Sequence, residues 1–430
     1  MTQYNRLSGE IKRSILRFST RITKGLTKPT AKFIAQMLYG LAEGNQSHLS
    51  EIARRLKEHI LLKKTIERLS RQLQHFSGQG VVWENYMACV KEQVKETAIL
   101  LIDNSEFVKP CSQHMEGLCQ VLDGSTGELA QGYHTIDAAV LSPEGKMPIP
   151  VYSHIFSSEE SGFVSQTKEN LRCLASLSRH FGPSCVRTLD RGFDANAYFE
   201  YFLHAKRQEK FIIRLKKNRN VMYQGKSLNV MDVANQYKGK YTIAFRDKKN
   251  KRIDCKMAYI PVRCAFAPKT DLTLIVVYGF GKLPMLLLSN LRSDDHLRLS
   301  HTITKVYLLR WRIEEYFKFK KNQFQLEDFR VMSLASIRNF NLIATLLTGY
   351  IAFLSEKRKD SIFVKELQLC SKRIFSVPNF CLYALGYAIS DVLSKTTVGI
   401  QAFFKKKPPS QQLDLLSLPA FRQFATPPPY

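Results

Sequence analysis

Hydrophobic positions change their period along the chain, and the changes mark out its elements. From residue 31 apolar side chains recur at helical spacing. Phe33, Ile34, Met37, Leu38 and Leu41 share one face, and the pattern stops at Gly44-Asn45. Shorter helical patterns follow at 48–58, with Ser47 placed to cap, and at 62–73, with Lys63, Lys64, Arg68 and Arg71 on the polar side. Residues 1–28 are basic and only weakly periodic. In the centre the pattern shifts to alternation and short apolar runs. TAILLI at 97–102 predicts a buried strand ending in Asp103-Asn104-Ser105, and 132–142 and 148–156 alternate as further strands. Helix is expected at 163–180. A strand at 185–189 then ends at Asp190-Arg191-Gly192, followed by a helix at 194–205 capped by Asp194 and a strand at 210–215.

This order, β-β-β-α-β-α-β, is that of an RNase H-like core. Residues 218–295 interrupt it with strand-like runs at 241–245, 255–262, 272–278 and 285–288. Polar turns separate these runs, including Asp247-Lys248-Lys249-Asn250-Lys251, so the insertion reads as mostly β. Helix returns at 300–322. The apolar stretch 340–354 is too short to cross a bilayer and reads as a buried helix, and the sequence ends in a Pro-rich segment at Pro427-Pro428-Pro429. The expected architecture is α/β. A helical DNA-binding domain occupies 1–80, the core 90–217 and 299–355, the β-rich insertion 218–298, and a helical C-terminal region with its tail 356–430.

Charge narrows the function. The 430 residues hold 64 Lys and Arg against 37 Asp and Glu, a formal net charge of +27, which points to a polyanionic partner and first to nucleic acid. The excess is spread out: residues 1–80 alone carry 15 basic side chains against 5 acidic ones. Nine single cysteines without a CxxC pair suggest neither a structural zinc site nor a disulfide framework. The polar, basic start does not read as a secretory leader, so a reduced, cytoplasmic setting is expected. Gly279-Phe280-Gly281-Lys282 lacks the frame of a phosphate loop, and His114, His134 and His154 have no ligand spacing.

Candidate chemistry rests on acids. Phosphodiester cleavage gains most from divalent ions held by carboxylates that converge from separate elements. Asp103 and Asp190 each follow a predicted buried strand, although an acid there is also an ordinary turn former. On a helical wheel of 305–322, Tyr307, Arg310, Glu314 and Lys321 fall within an arc of about 60°. Val306, Leu309, Ile313 and Phe317 form the flanking apolar face. Glu314 could then hold a metal while Arg310 and Lys321 grip phosphates. The same spacing also describes an i,i+4 ion pair on a solvated helix. Asp194 reads as a helix cap, and Glu315 points about 100° away from Glu314.

The four residues Tyr307, Arg310, Glu314 and Lys321 spell Y-x2-R-x3-E-x6-K. This resembles the signature of bacterial insertion-sequence transposases of the DDE class. LLIDNSEFVKP (100–110, from Leu100) resembles the family's first-Asp segment and LDRGFD (from Leu189) its second, the resemblance extending over about residues 30–350. Asp-Asn-Ser stands where relatives often have Asp-x-Thr. The resemblance implies that Asp103, Asp190 and Glu314 coordinate two Mg2+ ions, with Mn2+ able to substitute. It implies that Tyr307, Arg310 and Lys321 hold the DNA backbone, Tyr307 beside a displaced base, and that the basic N-terminal helices, with Lys63, Lys64 and Arg68, recognise transposon ends. The implied partners are double-stranded DNA, as terminal inverted repeats and target, and a second copy in a homodimeric synaptic complex. Cut-and-paste transposition in a bacterial, nucleoid-associated setting is the expected function. An inactive DNA-binding descendant and an RNase H-like nuclease without strand transfer are the alternatives.

Overall fold

The computed structural model describes residues 3–142, 147–204, 207–246, 252–357, 361–371 and 382–404. The polar turn at 247–251, Cys381 and the Pro-rich end lie outside these residues. Five helices open the chain: α1 (Gln3–Ile22), α2 (Lys28–Gly44), α3 (Leu49–Leu56), α4 (Leu62–His75) and α5 (Gln79–Lys91). The strands β1 (Ile99–Val108), β2 (Cys119–Leu122), β3 (Leu129–Leu141) and β4 (Pro148–Phe156) follow, then α6 (Gln166–His180), β5 (Val186–Leu189), α7 (Asn196–Leu203) and β6 (Lys210–Arg214). Next come β7 (Asn220–Tyr223), β8 (Lys226–Asn229), α8 (Val230–Asn235), β9 (Tyr241–Arg246), β10 (Arg252–Cys264), β11 (Ala267–Tyr278) and β12 (Met285–Ser289). Helices α9 (His296–Leu308), α10 (Arg312–Gln323), α11 (Leu334–Glu356), α12 (Ile362–Leu369) and α13 (Leu382–Ser394) complete the described chain.

One mixed sheet organises the molecule. In the order β4-β3-β1-β5-β6, β3 is antiparallel to both β4 and β1, while β5 and β6 run parallel to β1. The insertion interrupts the sequence but continues this sheet: β12 pairs antiparallel with β6, β11 with β12, and β10 with β11. β9 pairs along the first half of β10, and the β7–β8 hairpin joins through Arg263 and Met222. Helices α9 and α10 lie across one face. On the other, α7 packs beside α6 and brings Phe199 against Phe211 of β6.

The helical part differs from the expected division. α1 was hidden as a basic stretch, yet Leu7, Ile11, Ile15, Phe18 and Ile22 form one buried stripe at steps of three and four. α5 was not anticipated, because apolar residues surround most of it. Helices from both ends of the chain share one hydrophobic core: α2 packs on α13 and α11, and α1 on α12 and α13. Ser47 does not cap α3. It donates instead to the Gln325 carbonyl at 2.6 Å, and His48 takes the cap position.

α11 links this bundle to the sheet through β4. It is longer than the expected 340–354 and is long and apolar enough to cross a membrane, yet 89% of its most apolar window is buried inside the protein. Its polar residues hid its length, and several of them are bonded within the structure. Asn339 donates to the Leu73 carbonyl at 2.8 Å, and Thr345 and Thr348 donate to carbonyls one turn earlier. Gly349 admits the buried Tyr86, whose hydroxyl donates to the Pro150 carbonyl at 2.8 Å. A Cβ at Gly349 would lie 2.1 Å from that hydroxyl. Alanine favours a helix by about 1 kcal/mol over glycine, but overpacking a tight core costs about 1–3 kcal/mol. Gly349→Ala is therefore expected to lower the urea midpoint; an unchanged or higher midpoint would show that Tyr86 yields freely.

Candidate active site

The first two acids are brought together by strand register. Ile99, Leu101 and Asp103 project from one side of β1, and Ile99 and Leu101 pack against Ile313, Tyr316 and Phe317 of α10. Asp103 therefore faces the same helix. The parallel β1–β5 ladder ends at Ile102 opposite Leu189, so Asp103 and Asp190 occupy the next position on each strand. Asp103 lies within β1 rather than beyond its end, because β1 continues along β3 to Val108. β5 stops because Asp190 caps a 3-10 turn, its Oδ1 accepting from the Gly192 amide at 2.6 Å. A Cβ at Gly192 would stand 2.9 Å from that oxygen, so glycine keeps the carboxylate's place clear.

The third acid arrives on a broken helix. The wheel assumed one continuous α-helix over 305–322, but a 3-10 turn at Leu309–Trp311 separates α9 from α10. The break falls between two packing surfaces. Leu299, Ile303 and Tyr307 of α9 pack on Ile212, Ile275, Val277 and Leu287, whereas Ile313 and Tyr316 of α10 pack on Leu101 and Leu141. Tightening to about three residues per turn changes the phase of the side chains between these surfaces. The expected stripe consequently fans out. Tyr307 is buried in the first cluster at 5% exposure, not open beside a displaced base, because its ring completes the packing of α9.

Arg310, at the break, joins the acids. Its Nη1 donates to Asp103 Oδ2 at 2.5 Å and its Nη2 to Glu314 Oε1 at 3.2 Å, and the guanidinium lies 5.9 Å from the centre of the Tyr307 ring. Lys321 reaches Glu106 at 3.4 Å and Glu327 at 3.2 Å. Only 15% of the Asp103 side chain is exposed, against 42% for Glu314. Burial pushes the Asp103 carboxyl up to about 7; Arg310 opposes the shift, and Asp190 and Glu314 add to it. Two carboxylates sharing one cation, with Asp190 at the matching position of the next strand, offer the hard oxygen donors that a divalent ion takes. With Arg310 between Asp103 and Glu314, no three acid, His or Cys side chains among the described residues already form a metal cage.

Other expected residues serve elsewhere. Asp194 does not cap α7, which begins after Ala195. It is buried and accepts from the Lys216 amide at 2.6 Å and Arg219 Nε at 2.7 Å. Arg68 is not a free cation on α4, because its guanidinium is 2.8 Å from Glu58 and bonds Gln36 and Gln72. Lys63 and Lys64 are exposed on that helix, Lys64 lying 3.3 Å from Glu67. His134 and His154 stack on Phe156. Sequence reasoning passed over Trp311, which is 38% exposed beside Arg310 with the Arg312 guanidinium 4.5 Å from its ring. Its scarcity, as one of two tryptophans, was the available signal.

Residues 164–348 match the family model of the transposase DDE domain. The match includes Asp190 and Glu314 and leaves Asp103 upstream. No curated protein matches the sequence. Among solved structures, the chain is similar to a piggyBac transposase in a synaptic complex with hairpin DNA. The two share 10% identity over 93% of this chain and 84% of that one, with a TM-score of 0.44.

The raised Asp103 pKa has a signed consequence. Between its ordinary value of 3.8 and about 7, the folded, metal-free protein holds a proton that the unfolded chain has released, so stability falls as pH rises through that window. Asp103→Asn is expected to flatten this part of the urea-denaturation profile measured with chelator; an identical slope in both proteins would refute the assignment.

Proposed function

We propose that this chain is a DNA transposase that binds the ends of its insertion sequence and carries out metal-dependent strand cleavage and strand transfer. The observation that carries the reading is the convergence of Asp103 and Asp190 at one step of adjacent parallel strands, with Glu314 tied to Asp103 through Arg310. The strand order β4-β3-β1-β5-β6, with three antiparallel strands followed by two parallel ones, supports an RNase H-like core for this site. The family match and the net charge of +27 favour DNA as its substrate.

Asp103, Asp190 and Glu314 would hold two Mg2+ ions, or Mn2+ in their place. When bound, such ions polarise the scissile phosphate, activate water and stabilise the leaving oxygen. Arg310 neutralises Asp103 and Glu314 in the free protein and exchanges them for backbone phosphate when DNA arrives. Tyr307 supports that guanidinium from inside the α9 cluster. Lys321 grips a second phosphate after leaving Glu106 and Glu327. Trp311 offers an exposed ring to an unstacked base. In the cleavage step water oxygen bonds to phosphorus and the P–O3′ bond breaks, leaving a 3′-hydroxyl and a 5′-phosphate. That hydroxyl then attacks a phosphate of the target, and a second P–O3′ bond breaks. A homodimer synapses the two ends, with Lys63 and Lys64 on the exposed side of α4 toward the terminal repeat.

Incubating the purified protein with labelled terminal-repeat DNA, target DNA and Mg2+ tests the reading. Joining to target supports it. Cleavage without joining indicates an RNase H-like nuclease, and binding alone an inactive descendant. Asp103→Ala, Asp190→Ala and Glu314→Ala are each expected to abolish cleavage while end binding persists; cleavage retained in any one removes that residue from the triad. Lys321→Ala is expected to weaken binding and reduce the slope of log K against log salt by about 1. An unchanged slope would exclude its phosphate contact.

A further inference from the structure

A second charged group lies behind the acids and has no part in the reaction as described above. Asp137 of β3 is the register partner of Asp103, so the two carboxylates leave adjacent strands on the same face. Asp103 opens toward the groove, whereas Asp137 is 2% exposed. Its Oδ1 accepts from the Tyr316 hydroxyl at 2.8 Å and from Lys320 Nζ at 3.0 Å. Both donors stand on α10, one turn apart, and both are buried. Lys320 also donates to Ser153 Oγ of β4 at 2.8 Å, and Asn341 of α11 donates to the same hydroxyl at 2.8 Å.

An ammonium removed this far from water is a poor source of stability, since well-packed apolar side chains generally serve a buried site as well or better. Directed bonds give what apolar packing lacks. Two donors on successive turns, aimed at one carboxylate oxygen, set both the rotation of α10 and its position along the sheet. Glu314 lies two residues before Tyr316 on this helix. Among the described residues its hydrogen-bond partner is Arg310, in the 3-10 turn just before α10, so nothing ties its carboxylate directly to a strand. The placement of Glu314 relative to Asp103 and Asp190 is therefore inherited from α10, and α10 is anchored through Asp137.

We propose that Asp137, Tyr316 and Lys320 are positioning residues that fix α10, and with it Glu314, against the strands carrying Asp103 and Asp190, so that the three acids can close on divalent ions once Arg310 leaves them. The inference rests on the acid assignment made under the proposed function.

The test measures Mn2+ binding to the full chain by electron paramagnetic resonance, without DNA, alongside cleavage of end DNA as a function of Mn2+. Tyr316→Phe removes one oxygen and keeps the ring. The pair Asp137→Leu with Lys320→Met removes both charges together and leaves no buried ion. The pair is expected to raise the half-saturating Mn2+ concentration about tenfold or more, and Tyr316→Phe by less, with metal-free end binding unchanged. In a Glu314→Gln background the same changes should cause no further loss, because the ligand they position is gone. Folded variants with wild-type Mn2+ affinity, or an equal further loss in that background, overturn the positioning role alone. If Glu314→Gln leaves Mn2+ binding unchanged, the acid assignment falls and takes the positioning role with it.

Discussion

The contact on which the site depends is the guanidinium of Arg310 held between Asp103 and Glu314. Two carboxylates that share one guanidinium repel each other when it is absent, and a third acid stands one strand away. A groove that leaves 15% of the Asp103 side chain exposed cannot rely on water to screen that repulsion. The chain answers in two ways: a cation between two of the acids, and a proton affinity at Asp103 shifted far enough for the carboxyl to remain partly neutral near pH 7. Both describe a site in want of positive charge, which is the state that favours capture of cations.

Arg310 can occupy that place because the helix carrying it breaks there. α9 must match the spacing of β6, β11 and β12, and α10 that of β1 and β3, and one straight helix does not present suitable faces to both. The 3-10 turn reconciles them and aims Arg310 at the groove. The insertion thus takes part in the geometry of the site, since its strands seat α9 and so fix where the turn occurs. On the far side α11 holds β4 and α10 while joining helices from the two ends of the chain, so the acids rest on a scaffold to which distant segments contribute.

Much of the sheet was legible from alternation, and β4 was bounded at 148–156 in agreement with the structure. Asp103 and Asp190 could be chosen from strand endings, but their adjacency needed the β1–β5 register, a long-range property that no local pattern carries. The wheel grouped Arg310 with Glu314 correctly, since the long guanidinium still reaches the first turn of α10 from the 3-10 turn. It misplaced Tyr307, because phase accumulated across the 3-10 turn. α1 escaped notice because buried Ser8, Lys12 and Ser19 blur its apolar stripe, and Arg68 was taken for a surface cation because its partner Glu58 lies in the preceding connection. Asp194 illustrates a different limit. Its position suited a cap, and only the fold brings Lys216 and Arg219 to it.

The pairing of β12 with β6 bears on how such a chain could have grown. A five-stranded core ending at β6 would expose a row of free backbone donors and acceptors, the surface on which unwanted strand addition begins. Here that edge is consumed by β12, and the sheet's new margin is displaced to β9 and the short β7–β8 hairpin. The inserted segment therefore acts as a chaperoning edge for the core that carries it. Excising it would leave Asp103 and Asp190 on their strands but unseat α9 and uncover an adhesive border, so the smallest stable unit of this protein is larger than the smallest set of strands that holds its chemistry.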